Sequence, residues 1–157
     1  MQYVSYLPSR GITIDQLRDL LNKDGDEIDG LVRVCEATAT LLVKQQGRLR
    51  FAHDGPKAAA TKLIPPDRAA KIHADISHFL RRPQFNDDFT FDAADHALIA
   101  AEMGLQTYSN EDFVDLLLAA TSRSALATSF DKAARFLDAA DGKWSCCDGL
   151  IWAALTL

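Results

Sequence analysis

Leu41-Leu42-Val43-Lys44-Gln45-Gln46-Gly47-Arg48-Leu49-Arg50-Phe51 is the stretch that decides the fold of this chain. Leu41 to Val43 is a short β-prone apolar run, and Leu49 to Phe51 alternates apolar with polar. The polar segment Lys44 to Arg48 between them contains a glycine, so the stretch reads as a small hairpin. Everything around it has helical periodicity. On its N-terminal side, Ile14, Leu17, Leu20 and Leu21 form one stripe, with Thr13 as N-cap and Asp15 in the first turn, ending near Asn22. After the Lys23-Asp24-Gly25 break, Ile28, Leu31, Val34, Cys35 and Thr38 mark a second helix that ends near Ala39. Two helices followed by a hairpin are the parts of a winged helix-turn-helix.

On the C-terminal side, Asp54 is placed to cap a helix that has Pro56 in its first turn and runs to about Leu63. Pro65-Pro66-Asp67 starts the next helix, in which Ala69, Ile72, Ile76, Phe79 and Leu80 follow the helical period, and Arg81-Arg82-Pro83 closes it. Residues 83–90 are polar and read as a linker. Three further helices are expected at about Phe91–Met103, Asn110–Ser122 and Ala125–Ala140, with a fourth beginning near Asp148. Ser109 to Asp112 and Ser129 to Asp131 supply polar residues for the helix starts. Small residues such as Ala119, Ala120, Ala133 and Ala134 suit helical hairpins of the tetratricopeptide kind. The expected fold is therefore mainly α: a winged-helix-like unit over residues 1–82, a linker over 83–90, and antiparallel helical hairpins over 91–157. The apolar Ile151, Trp152, Leu155 and Leu157 lack a polar cap, so the hairpin segment is expected to be truncated and to continue in a longer protein.

Composition narrows the function. Of 157 residues, 48% are hydrophobic and 25% charged, enough to bury a core, and the net charge of −5 provides no field that would draw in nucleic acid or an anionic membrane. Cys35, Cys146 and Cys147 form neither a disulfide framework nor a zinc-ligand spacing, which fits a reducing, cytoplasmic compartment. Met1 to Arg10 has no signal-peptide pattern, and no stretch approaches the length of a membrane span. None of the glycines belongs to a phosphate-cradling loop, since Gly142-Lys143 is followed by Trp144, so the isolated chain is not expected to hydrolyse ATP. His73, His78 and His96 are scattered, and no metal site is argued from them.

Arg50-Phe51-Ala52-His53-Asp54, Ala59-Ala60, Leu63-Ile64-Pro65, Ile72-His73 and Ile76 resemble the winged-helix part of signal-transduction ATPase modules of the STAND/AAA type, found in large hybrid sensor kinases. Phe91-Asp92, Asp95-His96, Ala119 to Ala125 and Ala133-Ala134-Arg135-Phe136-Leu137 are similar to the helical region that follows, so the likeness extends over residues 12–140. It implies a non-catalytic regulatory and interaction segment that couples nucleotide state to downstream domains. Its partners would be neighbouring domains of the parent protein, other proteins docking on helical faces, or a second copy. It also implies a role for His53: contact with the β-phosphate of ADP, with ADP or ATP bound only in the longer protein and no cofactor in this chain alone. Gly55-Pro56 and Thr61 depart from the family pattern in the helix after His53.

Two other classes compete. Asp112, Asp115 and Asp131, with Ala127-Thr128-Ser129-Phe130-Asp131, resemble the tail of a PIN-type metal-dependent ribonuclease, whose chemistry needs clustered carboxylates. That family also needs an aspartate after an N-terminal apolar strand, and Met1 to Leu7 contains none. DNA binding through the wing would use Lys44, Arg48 and Arg50, but the preceding helix sets Asp26, Glu27, Asp29 and Glu36 against Arg33, a surface that repels phosphates.

Overall fold

Glycine at position 11 allows the first strand to form. A computed structural model describes residues 3–6, 11–21, 30, 33, 42–45, 47–85 and 89–155 of the chain. Strand β1 (Ile12–Thr13) lies antiparallel to β3 (Arg48–Phe51), which pairs on its other edge with β2 (Leu42–Gln45), giving the order β1-β3-β2. Gly11 has φ +72°, and a Cβ there would stand 2.4 Å from the backbone oxygen of Leu49. Only glycine meets both demands. The β2–β3 turn is shorter than the sequence suggested. Gln45 pairs with Arg48, which leaves two connecting residues, with Gly47 at φ +75°.

The hairpin is thus as expected, and the third strand is the addition. Ile12 pairs with Leu49 and Thr13 with Arg48, and both Ile12 and Leu49 are buried. Thr13 still caps the helix that follows, α1 (Ile14–Leu21). Its hydroxyl accepts from the Gln16 amide at 3.2 Å, and Gln16 Oε1 accepts from the Thr13 amide at 2.9 Å. This is a capping box whose partner is Gln16. The expected second helix lies outside the described residues except for Gly30 and Arg33, which are helical. Strand and hairpin thus form one small antiparallel sheet in the order β1-β3-β2, with α1 between them in sequence.

Helix α2 (Asp54–Lys62) and helix α3 (Pro66–Leu80) follow, with Pro66 opening α3 where its missing amide costs nothing. The chain divides into two compact units, residues 1–76 and 77–157, and the boundary falls inside α3. In the first unit, Ile12, Leu17, Leu49, Ile64, Ile72 and Ile76 are buried. Tyr3 and Tyr6, in a 3-10 turn at Tyr3–Tyr6, reach α3. The Tyr3 hydroxyl donates to Asp75 Oδ2 at 2.7 Å, and the Tyr6 ring meets His73 edge-on at 4.4 Å. Burial and the Asp75 carboxylate push the Tyr3 phenol up to about 12, which keeps it protonated as the donor.

The second unit comprises α4 (Thr90–Glu102), α5 (Asn110–Leu126) and α6 (Phe130–Leu155), with α5 packed on α4 and, more extensively, on α6. Short connections between packed neighbours make the helices antiparallel. Residues 83–90, read as a polar linker, place Phe85 and Phe89 in this core. Phe79, Phe85 and Phe89 stack edge-to-face at 4.6 and 5.3 Å. Helix α6 starts at Phe130, later than the expected Ala125, and runs through Gly142 and Asp148 as one helix, so no separate fourth helix begins there. A helical glycine costs about 1 kcal/mol, too little to stop a long helix. Side chains beyond Gly142, including Trp152, and the position of Leu157 lie outside the described residues.

Both helix–helix connections end in the same motif. After α4, the Gly104 amide donates to Ala101 O and that of Leu105 to Ala100 O, with Gly104 at φ +86°. After α5, the Thr128 amide donates to Ala125 O and that of Ser129 to Ser124 O, with Thr128 at φ +58°. These are Schellman closures, and the second forces a β-branched residue into the left-handed region. Two substitutions should therefore act in opposite directions. Thr128→Gly should raise stability by up to about 1 kcal/mol, the relief of strain being partly offset by a looser unfolded chain. Gly11→Ala should lower it by about 2 kcal/mol or more, because the added methyl meets backbone. Urea unfolding of the two variants checks both signs.

Candidate functional site

His53 sits where β3 passes through Ala52 into α2. Its backbone is extended, φ −145° and ψ 155°, and it occupies the cap position without a side-chain cap bond. Asp54, expected to be the cap, is already the first helical residue, because His53 is the last extended one. The His53 ring is exposed and makes no hydrogen bond among the described residues, so it does not brace the strand–helix junction. The free amides of the first turn favour an anion there. Two neighbours reduce that attraction: Pro56 supplies no N–H, and the exposed Asp54 carboxylate brings negative charge to the same helix end.

The other sequence candidates are dispersed. His73 and His96 are buried and have partners, while His78 is exposed with its ring 4.3 Å from that of Tyr108. Among the described residues no group of three His, Cys, Asp or Glu side chains could hold a metal ion. Ser109 caps α5, and Asp112 in the first turn is its partner: the Asp112 amide donates to Ser109 Oγ at 3.1 Å, and Asp112 Oδ2 accepts from the same hydroxyl at 2.6 Å. Asp131 lies in the first turn of α6, and Ala127 to Ser129 form the strained closure before it. The only sheet among the described residues is three-stranded and antiparallel, unlike the parallel sheet a PIN-type nuclease needs. Of the wing cations, Arg48 donates to Gly11 O at 3.3 Å and Arg50 is exposed. Among the described residues no helix is long and apolar enough to cross a membrane.

Sequence reading missed a cluster in the second unit. Ser77, on the last turn of α3, is fully buried, and its hydroxyl donates to Ala93 O at 2.7 Å. A serine has one proton, so at the 2.8 Å Ser77–Tyr108 contact the Tyr108 hydroxyl is the donor. Burial raises the Tyr108 pKa, partly countered by Ser77 and Arg81, and so keeps that proton in place. The Tyr108 ring contacts His78 and lies 5.1 Å from the Arg81 guanidinium, while Arg82 lies 5.1 Å from the Phe79 ring. Beside this cluster is a cleft of about 290 Å³, whose lining includes Arg81, Arg82, Phe85, Thr90, Asp115 and Leu116. The signal available in the sequence was the Arg81-Arg82 pair set among Phe79, Phe85 and Phe89, which read only as a helix end.

Ser77→Ala removes one donor to Ala93 O and the acceptor for Tyr108, and should cost about 1–3 kcal/mol of stability. Tyr108→Phe should cost about 1 kcal/mol, and the double variant should cost less than the sum, since both changes break the same bond. Additive losses in chemical denaturation would refute the shared bond. No family model, curated protein or solved structure matches this chain.

Proposed function

We propose that this chain is a non-catalytic regulatory and interaction segment of a longer signalling ATPase, with neighbouring domains of that protein as its partners. The observation that carries the reading is the apolar surface on the α5–α6 hairpin. Leu126, Phe130 and Leu137 are 86%, 67% and 50% exposed. Phe130 and Leu137 are seven residues apart on α6 and share one face, while Leu126 ends α5 just before the closure. Large apolar side chains grouped in this way mark a docking surface. The winged order of β1, α1, β2 and β3, leading through His53 into α2, supports the regulatory half of the reading.

Within the longer protein, His53 contacts the ADP phosphate in the closed state and loses that contact on opening. A hydrogen bond to a charged group contributes roughly 1.5–3 kcal/mol, enough to shift a two-state equilibrium about ten- to a hundred-fold. The exposed ring is free to make such a bond, and Asp54 and Pro56 weaken the site around it.

Two measurements test the two halves. The isolated chain should self-associate weakly and in a concentration-dependent way in sedimentation or light scattering, and Phe130→Ser with Leu137→Ser should abolish this. Strictly monomeric behaviour at high concentration would count against the docking face. In the full-length protein, His53→Ala should weaken ADP binding about tenfold or more. Unchanged ADP affinity with unchanged stability would eliminate the sensor role.

A further inference from the structure

The guanidinium groups beside the second unit's cleft lie against aromatic rings, and among the described residues no carboxylate pairs with them. Arg82 lies over Phe79 and Arg81 over Tyr108, each at 5.1 Å. Stacking occupies the face of a guanidinium and leaves its N–H edges for an acceptor, although the Tyr108 oxygen takes part of the Arg81 edge. Arg82 forms no ion pair among the described residues, whereas Arg135 on α6 is saturated by Asp95 at 2.8 Å and Glu102 at 3.2 Å. Both cations line the cleft, as does Thr90, the first residue of α4. The cap of that helix, Phe89, has no side-chain acceptor for its first-turn amides. Phe85 and Leu116 add apolar wall, and the volume of about 290 Å³ suits a ligand of a few heavy atoms.

We propose that this cleft binds a small oxyanion, a phosphate or a carboxylate group. Arg82 provides the principal contact, Arg81 provides a second positive charge, and the Thr90 hydroxyl is a further donor. Two positively charged forks at one cleft are the arrangement that planar, multidentate recognition of such groups requires. Asp115 lines the same cleft and has no ion pair among the described residues. Its charge opposes an anion, which keeps the affinity modest and gives the proposal a sign that can be checked. The site shares no residue with the docking face and does not include His53, and it does not depend on the interaction reading.

The test is a titration of the full chain with inorganic phosphate and, separately, with acetate, at ionic strength held constant with chloride and followed by backbone amide shifts in NMR. Saturable shifts confined to residues 81–85, 89–92 and 115–119 are expected with at least one of the two, and whichever binds identifies the oxyanion. Arg82→Gln should weaken binding about tenfold, and Arg82→Lys, which keeps the charge but not the fork, should weaken it less. Asp115→Asn should strengthen binding about two- to five-fold by removing the opposing charge. If Arg82→Gln does not fold, Arg82→Lys and Asp115→Asn decide the matter. Shifts that do not saturate or that spread over unrelated lysines and arginines would overturn the proposal. So would equal affinity in Arg82→Gln, or a weakening in Asp115→Asn. Affinity that appears only when Asp87 and Asp88 are both changed to Asn would assign the arginines to the chain's own carboxylates, and would also overturn it.

Discussion

Ser77 is the point on which the second unit is organised. It is a polar residue between the apolar Ile76 and Phe79 on the last part of α3, and it is completely buried. A buried hydroxyl without partners costs free energy, so the groups around it must supply both an acceptor and a donor. Ala93 O and the Tyr108 hydroxyl do so from two different places in the chain, one in α4 and one in the segment leading to α5. The position of Tyr108 is therefore set from the end of α3. Its ring then presents a face to Arg81, and the Phe79–Phe85–Phe89 ladder does the same for Arg82 on Phe79. Among the described residues, the arginines at the cleft are set by aromatic packing and the Ser77 hydroxyl, with no ion pair to either.

The parts of the fold that could be read from sequence are those whose information is local. The 3.6-residue period of Ala69, Ile72, Ile76, Phe79 and Leu80 gives α3, and the glycine between β-prone runs gives the β2–β3 hairpin. Strand β1 has no such signature. Ile12-Thr13 is two residues long, and its existence depends on a pairing with β3 far along the chain and on Gly11 reaching a positive φ against the Leu49 carbonyl. Residues 83–90 misled for a related reason. Their composition is that of a solvated loop, but two phenylalanines within them complete an aromatic cluster that begins on α3. Helix α6 shows the reverse case: a break is expected between Ala140 and Asp148, but one helix runs through Gly142, whose cost is small beside the packing of the helix on α5.

The candidate sites divide in the same way. His53 stood out because a short string around it has a recognisable order, and the structure puts it at an exposed strand-to-helix passage where an anion could approach. The carboxylates Asp112, Asp115 and Asp131 stood out by type alone. Packing then gives them unrelated places: the partner of the Ser109 cap on α5, a cleft wall, and the first turn of α6. The cleft could not be found by spacing, because its lining is drawn from the end of α3, the start of α4 and the middle of α5. Only the folded unit brings Arg82 and Asp115 to one wall.

Magnitudes constrain what the exposed face of the α5–α6 hairpin can hold. Fully burying a Leu or Phe side chain contributes about 1.5–3 kcal/mol, and Leu126, Phe130 and Leu137 begin from 86%, 67% and 50% exposure. Together they supply on the order of 5 kcal/mol, whereas bringing two free molecules together costs an estimated 4–15 kcal/mol. Three side chains of this size therefore give at most weak pairing between separate chains. A partner tethered in the same polypeptide meets a different balance, since a short linker provides an effective concentration of about a millimolar, roughly a thousand times that of a partner free at micromolar concentration. An apolar face that holds a free partner only weakly can hold a linked one and still be released by a modest change elsewhere. On the reading proposed above, the linked occupant is a neighbouring domain.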